Sequence, residues 1–496
     1  MKKITILLLV ALTFNTAKAQ KIGLYNSGTL TDVQDNPAFE AFRDTLNYFA
    51  FNLPVYPTLN LDFRLVGFGQ TQILDAIYGD NEVDFASLLS NPFAQNHFRL
   101  NLDYDLLGFI VSTNKSNNGE FGANVKLRSA NNFSFQNNLL GFPGGTDGYG
   151  GDTAVNIFNT DFYTLNYAEF AVSYRMDVTS KLGLGMKLGM VKGINYAQVK
   201  IDKSHAYFGN EANGYEVDLA AQGAVRFGGV DLLDPNFQDN LLDGAGANNL
   251  GYTFSAGATY ELNQKINLQA GVRDLGKITW DVGNRTYVLN DTIHFEGADY
   301  NNDGSIDSLL TNLEDLIVDT LDDVFTTNLN SSFQLSGSYK WNKWITSTVI
   351  LHKFVYTPSY RVHLVQDFRV LRALHLVFNA GIGYNNYSQI GANLLIRSKH
   401  FDFFVGSERI GNLAVSEASP GLSLNTGLAF RLGVRNPKKK HEKELEKREK
   451  ELEKRQKEMK KIQEKALERE LLEGGQMIPE QETGTGETSD DDGGDQ

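Results

Sequence analysis

From Phe98 to Leu106 every second residue is apolar or aromatic (Phe98, Leu100, Leu102, Tyr104, Leu106), and the residues between them are polar or charged (Arg99, Asn101, Asp103, Asp105). In an extended strand successive side chains point to opposite faces, so this run has one greasy face and one charged face. The same period recurs over residues 121–128, 182–190 and 252–260. A soluble β-sandwich also alternates, but its strands average about 5–6 residues, whereas a tilted strand crossing a bilayer needs about 9–11. Many runs here last ten residues or more, and Tyr and Phe crowd their ends, as the two interfaces of a membrane require. The pattern predicts an all-β chain, a transmembrane antiparallel β-barrel occupying residues 57–432.

The connections give an independent test, because such barrels alternate short periplasmic turns with longer outer loops and carry an even number of strands. Fourteen strands fit, the first over 57–68 and the last over 421–432. The connections 114–119, 179–181, 263–265, 341–343, 370–373 and 398–400 are then short and fall on one side. The other side takes 69–97, 131–161, 200–249, 281–328 and 410–420, with brief turns near Pro358 and Asn386. Within 200–249, Tyr215, Val217 and Leu219 suggest a further strand, and two more crossings there give sixteen.

Export is written at the start of the chain. Lys2 and Lys3, an apolar run from Ile4 to Phe14 and a small-x-small site at Ala17–Ala19 form a signal peptide over residues 1–19. Cysteine is absent, which excludes disulfides and a thiolate nucleophile. No other apolar run reaches the eighteen residues of a membrane helix, so a membrane assignment rests on strands.

The net charge of -14 is uneven: residues 281–328 hold eleven acids against Arg285, residues 474–496 hold seven acids and no base, and residues 438–473 carry fourteen bases against eleven acids. That basic excess is too diluted for a nucleic-acid groove. Glu444 and Arg448, Glu446 and Lys450, Glu451 and Arg455, and Glu453 and Lys457 stand four apart, which supports an exposed charged α-helix over 437–473, extending roughly 54 Å. Leu445, Leu452 and Met459 repeat every seven residues, but Arg448 and Arg455 fill the second seam position, so a solitary helix is favoured over a coiled coil. The tail 474–496 is too polar and acidic to fold.

The last predicted strand ends on Asn425, Gly427, Phe430 and Leu432, which resembles the C-terminal strand signal read by the outer-membrane barrel-folding machinery. That strand must then finish in the periplasm, with the charged helix after it. "DNPAFEAF" (35–42) resembles the opening box of the long-chain fatty acid transporter superfamily of fourteen-stranded barrels. "VRDLGKITW" (272–280) is similar to the Asp-Leu-Gly segment of Bacteroidota barrels in that superfamily, among them the type IX secretion barrels and an uncharacterised outer-membrane family. The resemblance implies an N-terminal plug segment, for which residues 20–56 are available, and puts Asn36 and Pro37 in a turn inside the lumen; an exposed turn before the first strand reads equally well.

Candidate sites are few. "DYNNDGSID" sets Asp299, Asn301, Asp303 and Asp307 at positions 1, 3, 5 and 9 of a calcium loop, with Gly304 at the sharp turn and the Ser305 carbonyl as a further ligand. Leu310 stands where the bidentate acid belongs, so calcium binding and a plain acidic loop both fit. Leu309, Leu313, Leu316, Ile317, Leu321 and Val324 then recur at helical spacing, predicting an amphipathic helix in the acidic outer loop. The eight histidines form no ligand or catalytic motif, and "GFPGGTDGYGG" lacks the Lys-Ser/Thr of a phosphate cradle, so no enzyme activity is expected.

Lumen-facing positions mix Arg99, Lys126, Arg128 and Arg175 with Asp103 and Glu169. The functions in play are passage of an apolar small molecule across the outer membrane, a barrel component of surface secretion or attachment, and a structural barrel whose periplasmic helix meets the cell wall or other envelope proteins. A secreted all-β adhesin is the soluble alternative.

Overall fold

The computed structural model describes residues 25–42, 47–54, 56–67, 91, 93–113, 119–141, 153–155, 159–208, 217–229, 248–295, 317–321, 323–356, 360–383, 387–408, 421–434, 452–453 and 455–465. The chain divides into a unit ending at Val434 and a second unit from Arg435 onward.

The first unit is a closed antiparallel barrel of fourteen crossings. The first crossing is made of two pieces, β1 (Asn47–Asn52) and β2 (Thr58–Val66), both paired with β20 (Gly421–Val434) on one side and with β3 (Gln95–Ser112) on the other. From β3 the wall runs through β4 (Gly119–Gln136), β6 (Thr160–Asp177), β7 (Leu182–Phe208), β9 (Leu250–Glu261) and β10 (Ile266–Trp280). It continues through β13 (Phe325–Asn328) with β14 (Ser332–Lys340), then β15 (Ile345–Phe354), β16 (Tyr360–Arg369), β17 (Leu374–Gly383), β18 (Tyr387–Arg397) and β19 (Phe401–Ser407), and closes on β20. Closure leaves the wall without an edge strand, the only way a sheet satisfies its backbone groups in lipid.

The faces are inverted relative to a soluble protein. Along β17, Leu376, Phe378 and Ile382 point outward and are 37%, 48% and 67% exposed, while His375 and Asn379 point inward and are 2% and 3% exposed. Phe170, Met186, Leu188, Met190, Leu364 and Ile390 extend the outward apolar belt around the wall. An apolar surface this continuous has lipid, not water, as its natural solvent. No described helix is long and apolar enough to cross a membrane.

The short turns share one local device. Thr179 Oγ1, Asn263 Oδ1, Asn342 Oδ1 and Ser398 Oγ each accept the backbone N–H groups of the residues two and three further on, at 2.7–3.2 Å. A small polar side chain at the first turn position thus replaces ladder partners lost at the strand end.

Three expectations are corrected. The wall begins ten residues earlier than the predicted 57, because β1 belongs to it and not to the inner segment. Pro54 and Pro57 interrupt the first crossing, since neither can donate to a ladder, and this broke the alternation expected of it. In the region 200–249, β7 runs on to Phe208, where β5 (Thr153–Val155) pairs with it, and β8 (Val217–Gly228) pairs with that extension and with β11 (Arg285–Phe295), so the strand suspected there joins a side sheet and the crossings among the described residues stay at fourteen. Within the acidic loop, Ile317–Leu321 is a strand, β12, paired with β11, where an amphipathic helix was expected. Ile317, Val318 and Thr320 are β-branched, and pairing with a ready edge overrides a helical spacing of leucines. The side sheet leaves the wall at Trp280, whose ring packs over Gly193 and Gly228 and against Tyr196 and Phe325.

In the second unit, residues 452–453 and 455–465 are helical and exposed; the rest of 437–473 and the tail lie outside the described residues, as does the signal peptide.

Candidate functional site

Residues 25–42 are nearly all buried, and the barrel's inward-facing side chains hold them. The only regular piece is α1 (Leu30–Asp35). Thr29 caps it, its N–H and hydroxyl both donating to the Asp32 carboxyl, which also accepts the Ser27 hydroxyl at 2.7 Å. Burial pushes the Asp32 carboxyl up to about 7, against the opposing pull of those hydrogen bonds.

After α1, the Asn36–Pro37 turn closes when Asn36 Oδ1 accepts the Ala38 N–H at 3.1 Å. It lies against Gly185 of β7, Gly257 of β9 and Gly271 of β10. A Cβ on Gly185 would stand 2.0 Å from the Pro37 carbonyl oxygen, so the glycines of three adjacent strands leave the floor on which the turn sits. The turn therefore lies buried against the inward face of these three strands.

An irregular buried segment must find partners for its backbone, and the wall supplies them as charged donors. Arg175 Nε donates to the Ala38 carbonyl at 3.0 Å, Lys187 Nζ to Gln34 at 3.3 Å and Arg397 Nη1 to Ser27 at 2.6 Å. Arg431 reaches both ends of the segment, donating to the Ala41 and Gly28 carbonyls at 2.7 and 2.6 Å while its guanidinium pairs with Asp402 at 2.6 Å. The Ala41 N–H returns a bond to Glu120 at 3.1 Å. Leu30, Val33, Phe39 and Phe42 pack on Ala50, Ile110 and Ala429 of the wall.

The centre of the interior is a network of buried charges. Lys126 pairs with Asp35 at 3.3 Å and Asp105 at 3.1 Å. Arg128 meets Asp274 at 2.5 Å, Glu169 at 3.0 Å and Asp103 at 3.7 Å. Lys187 meets Glu169 at 2.8 Å and Asp274 at 3.6 Å, and Arg273 reaches Asp35 at 3.3 Å. Four cations and five carboxylates from β3, β4, β6, β7, β10 and α1 thus interlock, so each buried charge has an opposite neighbour.

Asp274 explains how two consecutive charged residues both face inward. It has φ 55°, the described non-glycine residue in the left-handed region, and the β9–β10 register skips between Val272 and Leu275. The extra residue of this bulge turns the Asp274 carboxylate onto Arg128, while its N–H donates to Ser255 Oγ at 3.0 Å.

Sequence reasoning placed Lys126, Arg128, Arg175, Asp103 and Glu169 in the lumen, and the structure joins all five to these contacts; Arg99 lies 4.6 Å over the Phe354 ring. Lys187 and Arg431 are charges in mid-strand between apolar neighbours, which in a lipid-facing strand point inward, so both were legible though not singled out; the adjacent pair Arg273 and Asp274 breaks the alternation and was not. The calcium-loop residues Asp299, Asn301, Asp303, Ser305 and Asp307 lie outside the described residues.

Space remains on either side of the inner segment. Toward the long connections, a cavity of about 110 Å³ is lined by Asn60, Asp62, Asn101, Arg128, His352 and Arg361, among others. Toward the short turns, cavities of about 360 and 620 Å³ open beside Asn26.

A family model described as a family of unknown function, DUF5723, matches residues 37–408. A search of curated proteins found no match. Among solved structures, a TodX deletion mutant described as a monoaromatic hydrocarbon channel is 9% identical with a TM-score of 0.42, covering 84% of this chain and 99% of its own. The P. putida toluene transporter TodX is 9% identical, TM-score 0.39, over 81% and 93% of the two chains. A FadL homologue of Pseudomonas aeruginosa is 10% identical, TM-score 0.39, over 83% and 94%. Likenesses this distant carry no argument about cargo; the fold rests on the strand pairing described above.

Proposed function

The chain belongs to that family of unknown function, whose model spans about three quarters of its length, and we propose that it is an outer-membrane barrel, closed at rest by residues 25–42 acting as a plug, that passes a small molecule when the plug shifts. The observation that carries this reading is the set of charged donors on opposite walls, Arg175 and Lys187 on one side and Arg397 and Arg431 on the other, that grip the backbone of the segment. A segment meant only to fill space would be held by apolar packing, whereas hydrogen bonds to carbonyls can be exchanged for water or solute without a loss of shape.

Most residues lining the cavity toward the long connections are polar or charged, with Tyr167 and Phe354 among them, which favours a solute with polar groups over the wholly apolar one implied by the fatty-acid-transporter resemblance. The short turns face the periplasm under this reading, and so does everything after Val434, including the charged helix.

Flux in proteoliposomes tests it. Unaltered protein admits small sugars and amino acids slowly; Arg431→Ala, which frees the Ala41 and Gly28 carbonyls, raises the rate, and Arg431→Lys does so less. Unhindered flux through the unaltered barrel, or equal flux through all three, contradicts the plug.

A further inference from the structure

The short-turn end of the barrel has a composition that passage through the lumen does not explain. The five described turns, 178–181, 262–265, 341–344, 370–373 and 398–400, each carry one exposed base in sequence (Lys181, Lys265, Lys343, Arg372 and Lys399) and none carries an acid. The connection 114–118 likewise contains Lys115 and no acid. The opposite end differs in sign, with a net -10 over residues 281–328.

Each base has an exposed apolar neighbour on or next to its turn: Val178, Leu262, Trp341 with Trp344, Leu371, and Phe401. A surface built only to attract a soluble anion gives no reason for a greasy side chain beside every cation. A layer of phosphates lying over hydrocarbon does, because the base meets the phosphate while its neighbour enters the acyl region.

The pattern is densest at three consecutive turns, those joining β9–β10, β14–β15 and β16–β17. At the β14–β15 turn Lys343 stands in sequence between exposed Trp341 and Trp344, while Lys340 and Arg369 nearby face the lumen and line the cavity beside Asn26. Trp341 is 60% exposed and donates its indole N–H to Ser347 Oγ at 2.7 Å, which fixes the ring outward. Lys343 Nζ lies 5.0 Å from the centre of the Trp344 ring. The carboxylates nearby are engaged: Asp367, within the cavity, with His375 at 3.0 Å, and Asp177 with Arg175 at 2.7 Å; Glu261 stands at the end of β9.

We infer that this rim is a binding surface for the phosphates of anionic glycerophospholipids in the leaflet facing the short turns, with its principal seat between those three turns. The inference rests on the reading of the wall as membrane-spanning. Each base near a charged lipid surface contributes about 1 kcal/mol, or about fivefold in retention.

The test is native mass spectrometry of the full mature chain released from nanodiscs of equal phosphatidylglycerol and phosphatidylcholine. Retained phosphatidylglycerol exceeds phosphatidylcholine at least about fivefold; the triple variant Lys265→Gln/Lys343→Gln/Arg372→Gln brings the ratio near one, and Trp341→Ala lowers it without abolishing it. Millimolar inorganic phosphate leaves the ratio unchanged, because the seat needs acyl chain as well as anion. A ratio near one in the unaltered protein, no change in the triple variant, or displacement by phosphate alone overturns the proposal while leaving a membrane-inserted barrel intact. Failure to enter nanodiscs at all overturns both. Heat-modifiable migration on gels verifies that each variant is folded.

Discussion

The two halves of the wall offer the inner segment opposite chemistry. On one half, β3, β4, β6, β7 and β10 present Asp105, Lys126, Arg128, Glu169, Lys187 and Asp274, interlocked at 2.5–3.6 Å. On the other, β15, β16 and β17 present Ile350, Val365 and Val377, packed on Tyr25, with neutral polar groups such as Asn379 between them. The charged half fixes position, because moving any one member strands its partner in a low-dielectric interior. The aliphatic half fixes little beyond volume. Beyond this aliphatic patch Arg397 and Arg431 grip the segment again, so only its contacts with the patch itself are free to slide.

Removing a charge should therefore cost far more than trimming the aliphatic patch. The largest loss is expected from Lys126→Ala, which takes the cation from buried Asp105 and leaves Asp35 to Arg273, at about 3–5 kcal/mol by denaturant unfolding in detergent. Asp274→Asn keeps a residue that tolerates the left-handed backbone but gives up the charge on Arg128 and Lys187; a loss of about 1.5–3 kcal/mol is expected, and Asp274→Ala should lose about 1–2 kcal/mol more because of its φ. If the two variants at 274 unfold alike, the bulge is not strained as described.

Asp32 sharpens the comparison through pH. Its carboxyl is raised to about 7 by burial, so the folded protein holds a proton there that the unfolded chain releases near 4. Stability from this group is full below about 4 and falls as pH rises toward 7, and it is flat above that. Thermal midpoints from pH 4 to 8 should lose part of this slope in Asp32→Asn; an unchanged slope would mean that the carboxyl is ionised in place. The smallest effect is expected on the aliphatic side, where Ile350→Val should cost about 0.5–1.5 kcal/mol. A cost matching that of Lys126→Ala would erase the difference between the halves.

Most of the wall could be read from alternation, since a strand between lipid and a polar interior must repeat every two residues. β1 escaped because Phe49, Ala50 and Phe51 are apolar in succession: Ala50 faces the inner cluster of Leu30 and Phe39, so its inward side is not polar. β12 escaped because its partner strand lies outside the barrel. Single lumen charges were legible; their assembly was not, because it depends on the β10 bulge at Asp274 and on Asp35, which arrives from a segment 238 residues away from Arg273. "DNPAFEAF" and "VRDLGKITW", noticed as separate pieces of resemblance, meet in that ion pair.

The central claim is a wall with lipid on one face and an enclosed polar interior on the other. The chain contains no cysteine, so single nitroxide labels can be placed along β17, from residue 375 to 382, and their collisions with oxygen and with a water-soluble nickel chelate measured in bilayers. Labels at Leu376, Phe378, Ala380 and Ile382 should collide with oxygen, those at His375, Val377, Asn379 and Gly381 should not, and the period should be two. Nickel accessibility at every position, or no alternation, would contradict the account.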